Sequence, residues 1–256
     1  MLINFSDKKF DIIIQAGQSN SEGYGFGDVE IAWQPNPLVW YLNNNFTITP
    51  AAELVVNNGV QSNFSLSFAQ HYIENNLLSE GRELLILRCA VGGTGFLDNR
   101  WNLSGDLYLR MMDMITTALS LNPSNRLVAF LWHQGENDAL CNADFNTHYN
   151  NLSTLLNNVL TTFSVPNLPF IAGDFVHDWK DNNIDICEPV INAIKAVCNN
   201  HTAGRFVLSD GLKSNAQVVP TTHPLGWGDT DVIHFSRKSI YELGNRYFNA
   251  FLSCIE

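Results

Sequence analysis

The stretch "IIIQAGQSNSEGYGFG", residues 12–27, indicates an α/β fold because it joins a run of β-branched residues to a turn of small polar ones. Three consecutive isoleucines are typical of a strand buried on both faces, as in the middle of a parallel sheet. The residues that follow, Gly17 to Asn20, then lie at the carboxyl edge of that sheet, where open α/β sheets bind their ligands. Ser19 is therefore predicted to lie at a ligand-binding edge.

The rest of the chain alternates apolar runs with stretches of helical period, which is the βαβ pattern of a parallel sheet. Strands are predicted at residues 11–16, 83–90, 126–133, 168–173 and 205–209. Helices are predicted at residues 65–78, 105–121, 143–163, 186–199 and 236–254. Residues 24–63, with three prolines and a polar run, are predicted as a long loop that holds one short strand at 39–42. A loop of that length in a compact domain is usually functional.

Length and composition indicate one globular domain. A chain of 256 residues with 45% hydrophobic and 15% charged residues is long enough to bury a substantial core. A net charge of -11 with only 14 scattered basic residues argues against a nucleic-acid partner, which needs clustered Lys and Arg. No apolar run is long enough to cross a bilayer and no signal-peptide pattern opens the chain, so we expect a soluble protein without a membrane partner.

The five cysteines form no CxxC pair and are odd in number, so the sequence suggests neither a disulfide framework nor a zinc site. We expect mostly free, buried thiols.

Polar segments follow the first three predicted strands and precede the last predicted helix. They read "GQSN", "AVGGTG", "WHQGEND" and "DVIHFS". Because the carboxyl ends of parallel strands open on one edge, these segments are predicted to converge in one cleft. The candidate residues in them are Ser19, Gly92, Gly93, Gln134, Glu136, Asp231 and His234.

A serine becomes a nucleophile when an imidazole takes its proton and a carboxylate orients that imidazole. His234, with Asp231 three residues before it, can serve Ser19 in this way. Alone, a serine after a strand is more often a helix cap or turn residue than a nucleophile, and His234 alone is explained by packing against neighbouring aromatic rings. His223 is the alternative base. We favour His234 because Asp231 is placed to orient it.

The other candidates each have two interpretations. Gly92 and Gly93 are either turn residues or a backbone N–H source for an oxyanion. Gln134 either adds a side-chain amide to the same oxyanion hole or is a buried, hydrogen-bonded amide. Glu136 and Asp138 either bind neighbouring loops or touch the substrate.

Taken together, "GQSN", "GGTGFLDNRW", "WHQGEND" and "DVIHF", in this order, resemble the SGNH hydrolase superfamily, in particular its carbohydrate esterase branch of sialate O-acetylesterases and acetylxylan esterases. The resemblance implies a single esterase domain over residues 1–256. It implies a flavodoxin-like, three-layer α/β/α fold with a five-stranded parallel sheet in the order 2-1-3-4-5. It also implies hydrolysis of O-acetyl esters on a carbohydrate partner, with no metal or organic cofactor.

By the same resemblance, Ser19 is the nucleophile, His234 the base and Asp231 the residue that orients it. The backbone N–H groups of Ser19 and Gly93 and the side chain of Gln134 form the oxyanion hole. The wider superfamily has Asn where this chain has Gln134, whereas the carbohydrate esterase branch also reads Trp-x-Gln-Gly-Glu. Supporting or substrate-binding roles are expected for Gln18, Asn20, Gly92, Thr94, Trp101 and Glu136.

Two other functions compete with the esterase. A glycosidase would use Glu136 with Asp231 or Asp138 as paired carboxylates, which leaves the serine and histidine without roles. A sugar-binding module that has lost its chemistry would use tryptophans as stacking platforms, but it has no need of a Ser, Asp and His set. The tryptophans considered for that role are Trp33, Trp40, Trp101 and Trp227.

Overall fold

The computed structural model describes residues 2–56, 59–218 and 228–256. Its centre is a seven-stranded sheet in which six strands are parallel and one edge strand is antiparallel. The strands are β1 (Lys9–Gly17), β2 (Val39–Leu42), β3 (Ile48–Pro50), β6 (Arg82–Arg88), β7 (Arg126–His133), β8 (Phe170–Gly173) and β9 (Gly204–Val207). Their order across the sheet is β3-β2-β6-β1-β7-β8-β9. A separate antiparallel hairpin consists of β4 (Leu54–Val56) and β5 (Gly59–Gln61).

The isoleucine run forms the middle of the sheet, as predicted. Strand β1 pairs in parallel with β6 on one side and β7 on the other, and every residue after Lys9 is buried. Ile12 and Ile14 pack into one hydrophobic cluster and Ile13 packs into another, on the opposite face. Each isoleucine therefore removes apolar surface from water on one face or the other, which explains the absence of polar alternation.

Helices cover both faces of this sheet. One face packs against α3 (Asp106–Ser120), α5 (Phe145–Thr162) and α7 (Ile184–Asn200), and the other against α2 (Phe64–Glu74) and α8 (Arg237–Ile255). The predicted helices are confirmed with ends shifted by up to four residues. Three short helices lie in loops that follow strands, namely α1 (Ser19–Glu22), α4 (Glu136–Leu140) and α6 (His177–Lys180).

The sheet is larger than the predicted five-stranded one. All five predicted strands are present, but residues 24–63 contribute β2 and β3 to one edge as well as the β4–β5 hairpin. The prediction of β2 is confirmed, whereas the interpretation of the remainder as loop is wrong at β3, β4 and β5. Pro50 ends the edge strand β3, where a missing N–H leaves no partner unpaired. Three-residue strands with little alternation give too weak a pattern to predict.

The described helices include none that is long and apolar enough to cross a membrane. All five cysteines are free thiols, and Cys89, Cys187 and Cys198 are buried. Burial raises the pKa of each of these three to about 12, so they stay protonated at neutral pH.

A close approach between β1 and β7 fixes the turn that carries Ser19. Gly17 ends β1 with φ +126°, and a Cβ added there would lie 2.0 Å from the carbonyl oxygen of His133. The next residue, Gln18, donates its backbone N–H to that same oxygen at 2.9 Å. Only glycine combines this φ with so close a neighbour, and the chain then turns directly into α1.

We predict that Gly17→Ala lowers the free energy of unfolding by about 3 kcal/mol or more, since left-handed strain and overpacking each cost about 1–2 kcal/mol. Gly81→Ala is the matched control, because Gly81 has φ +73° but nothing within 4 Å of an added Cβ. It should cost only about 1 kcal/mol. Urea unfolding of both variants measures the difference, and equal losses would contradict the steric explanation.

Candidate active site

The structure brings Ser19, His234 and Asp231 into a continuous chain of contacts. His234 Nε2 lies 2.8 Å from Ser19 Oγ, and His234 Nδ1 lies 2.7 Å from Asp231 Oδ1. Ser19 and His234 are 7% and 9% exposed, and Asp231 is buried. With Nδ1–H donated to the carboxylate, Nε2 carries the lone pair that can accept the serine proton. The alternative base, His223, and Trp227 lie outside the described residues.

Asn20 joins the two distant segments that supply this chain of contacts. Its side-chain Nδ2 donates to the carbonyl of Ile233 at 3.0 Å, and its Oδ1 accepts the backbone N–H of Phe235 at 3.1 Å. These bonds hold the residues on both sides of His234 against the helix that carries Ser19. Asn20 therefore has a supporting position.

Glu136 is fully buried beneath Ser19 instead of facing the cleft. Its carboxylate accepts hydrogen bonds from Gln18 Nε2 and, at 2.7 Å, from Asn20 Nδ2, and His133 Nε2 lies 3.6 Å away. Burial raises the pKa of Glu136, but His133 and the bond from Asn20 lower it by more, so that it lies below the ordinary value. Glu136 and Gln18 thus support the serine turn, and Glu136 has no open path to a substrate.

The loop after β6 surrounds Ser19 from another side. Gly92 donates its N–H to Glu22 Oε2 at 2.7 Å, and Gly93 is exposed with φ +67° and open space beside it. Thr94 Oγ1 donates to the carbonyl of Val91 and accepts from Trp101 Nε1 at 3.0 Å. Trp101 is completely buried. Of its two predicted roles, substrate binding and support, only support of this loop fits that position.

Asp138 and Gln134 hold the same loop from beneath. Asp138 accepts the backbone N–H groups of Phe96 at 3.1 Å and Leu97 at 2.9 Å. Gln134 Nε2 donates to Asp138 Oδ2 at 3.0 Å and, weakly at 3.4 Å, to the carbonyl of Thr94. Gln134 is fully buried, and one of its two amide hydrogens makes only that weak contact. That hydrogen is the less engaged of the two donors, and the Gln134 side chain is as completely buried as that of Glu136.

Asn215 is a site residue that the sequence analysis missed. Its Nδ2 donates to Asp231 Oδ2 and to the carbonyl of Tyr24, both at 2.7 Å, while its Oδ1 accepts the N–H of Phe26. It therefore fixes the carboxylate that contacts His234. It lies in the polar run "KSNAQ", where neither periodicity nor neighbouring glycines mark a functional position.

The positions of the described residues argue against the two competing functions, a glycosidase and a sugar-binding module. Glu136 and Asp138 are 0% exposed and bind loops, so they cannot flank a glycosidic bond in this arrangement. Trp33 and Trp101 are buried, and Trp40 packs edge-on against Phe5. Trp33 and Trp101 therefore present no stacking face to a sugar, and the ring of Trp40 is partly covered by Phe5 and Lys8.

Metal ligation finds no support among the described residues, where no group of three or more His, Cys, Asp or Glu side chains could hold an ion. The absence of a cofactor stays a prediction.

Comparison with known protein families settles the relationship. Residues 9–253 match the family model described as carbohydrate esterase, sialic acid-specific acetylesterase. The chain belongs to this family. The description of this family agrees with the resemblance to carbohydrate esterases that the sequence motifs indicate.

The individual sequence relatives match less than half of this chain. A protein of Arabidopsis thaliana named "Probable carbohydrate esterase" is 31% identical over 99 residues, which cover 39% of this chain and 36% of that protein. One of Escherichia coli strain K12 named "Probable 9-O-acetyl-N-acetylneuraminic acid deacetylase" is 25% identical over 122 residues, covering 39% and 37%. The matches thus span little more than a third of these relatives. The crystal structure of NanS superposes with a TM-score of 0.81 at 19% identity, over 96% of this chain and 98% of that one, which shows a shared fold.

The lowered pKa values of Glu136 and Asp138 predict how the stability of this esterase family member depends on pH. A carboxyl whose pKa is lowered by folding stabilises the protein above its unfolded pKa, and that contribution is lost as pH falls through the folded pKa. The free energy of unfolding should therefore fall as pH drops below about 4.5. Glu136→Gln should be less stable at neutral pH but show a shallower fall in that window.

Guanidinium unfolding at a series of pH values tests this expectation. Exposed Glu80, changed to Gln, is the control and should keep the wild-type slope. A Glu136→Gln variant with the wild-type slope would show that Glu136 does not carry the linkage.

Proposed function

We propose that this protein is a serine esterase that removes O-acetyl groups from a carbohydrate through an acyl-enzyme intermediate, and that residues 1–256 act as one catalytic domain. The observation that carries the proposal is the contact chain from Ser19 Oγ through the His234 imidazole to the Asp231 carboxylate. It lies at the carboxyl edge of a parallel sheet in a chain of the carbohydrate esterase family.

In the first half-reaction, Ser19 Oγ attacks the acetyl carbonyl carbon while His234 Nε2 takes the hydroxyl proton. Asp231 keeps the imidazole in the tautomer with Nδ1 protonated and stabilises the imidazolium that forms. The tetrahedral intermediate then breaks its bond to the sugar oxygen, which leaves with the proton from His234. The product is acetylated Ser19 and a free sugar hydroxyl.

Water completes the cycle by the same route. His234 takes a proton from water as the water oxygen attacks the acetyl-serine carbonyl, and returns that proton to Ser19 Oγ as acetic acid leaves. The net change is one ester and one water converted to one alcohol and one acetic acid.

The oxyanion of both tetrahedral intermediates is proposed to lie between the loop after β6 and the end of β7. The backbone N–H groups of Ser19 and Gly93 donate from one side. Gln134, which is buried in the structure, donates from the other side after its side chain turns toward the cleft and exchanges its 3.4 Å contact with Thr94 for the substrate oxygen. Because this contact is weak, the exchange gives up little in the ground state and gains a bond to a charged oxygen.

The family and its relatives support the proposed substrate class. The family model specifies sialic acid and one relative is named for a 9-O-acetylated sialic acid, so an O-acetylated sugar is the proposed substrate. A parallel assay of acetate and of reducing ends from one acetylated glycan separates this activity from a glycosidase.

We predict that Ser19→Ala abolishes acetate release with the thermal midpoint nearly unchanged, because the nucleophile is lost and only one oxygen is removed. Ser21→Ala is the matched control, since Ser21 lies on the same short helix, is fully buried, and its hydroxyl has no hydrogen-bond partner within the described ranges. It should keep wild-type turnover. Acetate release that survives Ser19→Ala, or reducing ends produced by either variant, would overturn the proposal.

Gln134→Ala is expected to lower kcat roughly 10- to 1000-fold with a smaller change in KM, since an oxyanion donor acts mainly in the transition state. Steady-state kinetics on an acetylated sugar measure the two constants. Gln70→Ala, at an exposed position on α2, is the control. A change confined to KM would make Gln134 a ground-state binding residue instead.

A further inference from the structure

Three side chains surround one small space beside Gly92. A Cβ added to Gly92 would lie 3.2 Å from Glu22 Oε2, 3.4 Å from Ser19 Cβ and 3.6 Å from the Tyr24 hydroxyl. Glu22, Tyr24 and Gly92 are each partly exposed, so this space opens to solvent. A substrate attacked by Ser19 therefore passes next to a carboxylate and a phenol, neither of which has a role in the mechanism above.

Glu22 uses only one of its two carboxylate oxygens inside the protein. Oε2 accepts the Gly92 N–H at 2.7 Å, whereas Oε1 receives no hydrogen bond from any residue that the structure describes. A carboxylate offers about four acceptor positions, so Glu22 can accept further hydrogen bonds without giving up Gly92.

Tyr24 is held in place at both its ring and its backbone. The ring stacks on His234 with centroids 4.9 Å apart and an interplanar angle of 23°. Its carbonyl accepts from Asn215 at 2.7 Å. Burial and then the negative charge of Glu22 raise the pKa of the phenol, so it stays protonated at neutral pH and can donate. A fixed donor thus lies beside a fixed acceptor.

The negative charge of Glu22 lies close to the place where negative charge develops on the substrate. A negative charge a few ångströms from the place where the substrate oxygen becomes negative raises the transition-state energy. A substrate hydroxyl that donates to Glu22 offsets this repulsion. The ester of a polyol has such a hydroxyl on the carbon next to the esterified one, and a plain alkyl ester does not.

We propose that Glu22 and Tyr24 are specificity-determining residues, and that together they bind the free hydroxyl adjacent to the acetyl ester of a polyol or sugar. The hydroxyl donates to Glu22 Oε1 and accepts from the Tyr24 phenol. This inference rests on the proposed esterase function and adds to it the feature of the leaving group that is recognised.

The test compares two acetates that differ only in hydroxyl groups, glycerol 1-monoacetate and propyl acetate. For wild-type protein, kcat/KM should be at least about tenfold higher for glycerol monoacetate, since a hydrogen bond to a charged group is worth about that factor. Glu22→Gln keeps an acceptor for Gly92 but places an amide donor where the free oxygen was, and should lower this ratio about tenfold. Tyr24→Phe keeps the ring on His234 and should lower it about threefold.

Control variants away from the site are Glu80→Gln and Tyr149→Phe, which should keep the wild-type ratio. The inference is overturned if the wild-type ratio is near one, or if Glu22→Gln and Tyr24→Phe slow both esters equally, as loss of general positioning would. Failure of the proposed function has a different outcome, which is hydrolysis of either ester that persists in Ser19→Ala.

Discussion

The candidate site depends on the buried carboxylate of Glu136, which is not exposed to the cleft. Glu136 binds Gln18 and Asn20, the residues on each side of Ser19, and Asn20 in turn holds the backbone on each side of His234. A charge removed from water is costly unless it is hydrogen-bonded and paired, so these contacts are also the condition for keeping Glu136 ionised inside the fold. Ser19 and His234, the proposed nucleophile and base, are thereby aligned by one group.

Asp138 repeats this arrangement two residues later on the same short helix. It holds the loop after β6 through two backbone N–H groups and also binds Gln134. The segment "WHQGEND" thus supplies fixed negative charges that position the serine turn on one side and the proposed oxyanion loop on the other. Because α4 follows the end of β7 directly, the rigidity of the sheet extends to both.

Much of the fold could be predicted because its pattern is simple. Burial on both faces leaves an unbroken isoleucine run in β1, and helices packed on one side show an apolar period. Strands β3, β4 and β5 could not be predicted, because each is only three residues long and too short to show an alternating pattern. Pro50, normally a sign against a strand, is tolerated there only because of the edge position.

The candidate site, like the fold, contains residues that the sequence could predict and residues that it could not. Ser19, Asp231 and His234 could be placed because motif and topology agree, whereas Asn215 carries no local signal. Whether Glu136 faced a substrate or a loop depended on its burial, which the sequence does not show.

The contact between Ser19 and His234 joins residues 215 positions apart. During synthesis on a ribosome, at about 5–20 residues per second, the serine is made roughly 10 to 40 seconds before the histidine that contacts it. For that interval the nascent chain has the proposed nucleophile without its proposed base. Under the proposed function, hydrolytic activity therefore arises late and in one step, when the segment before α8 docks against α1.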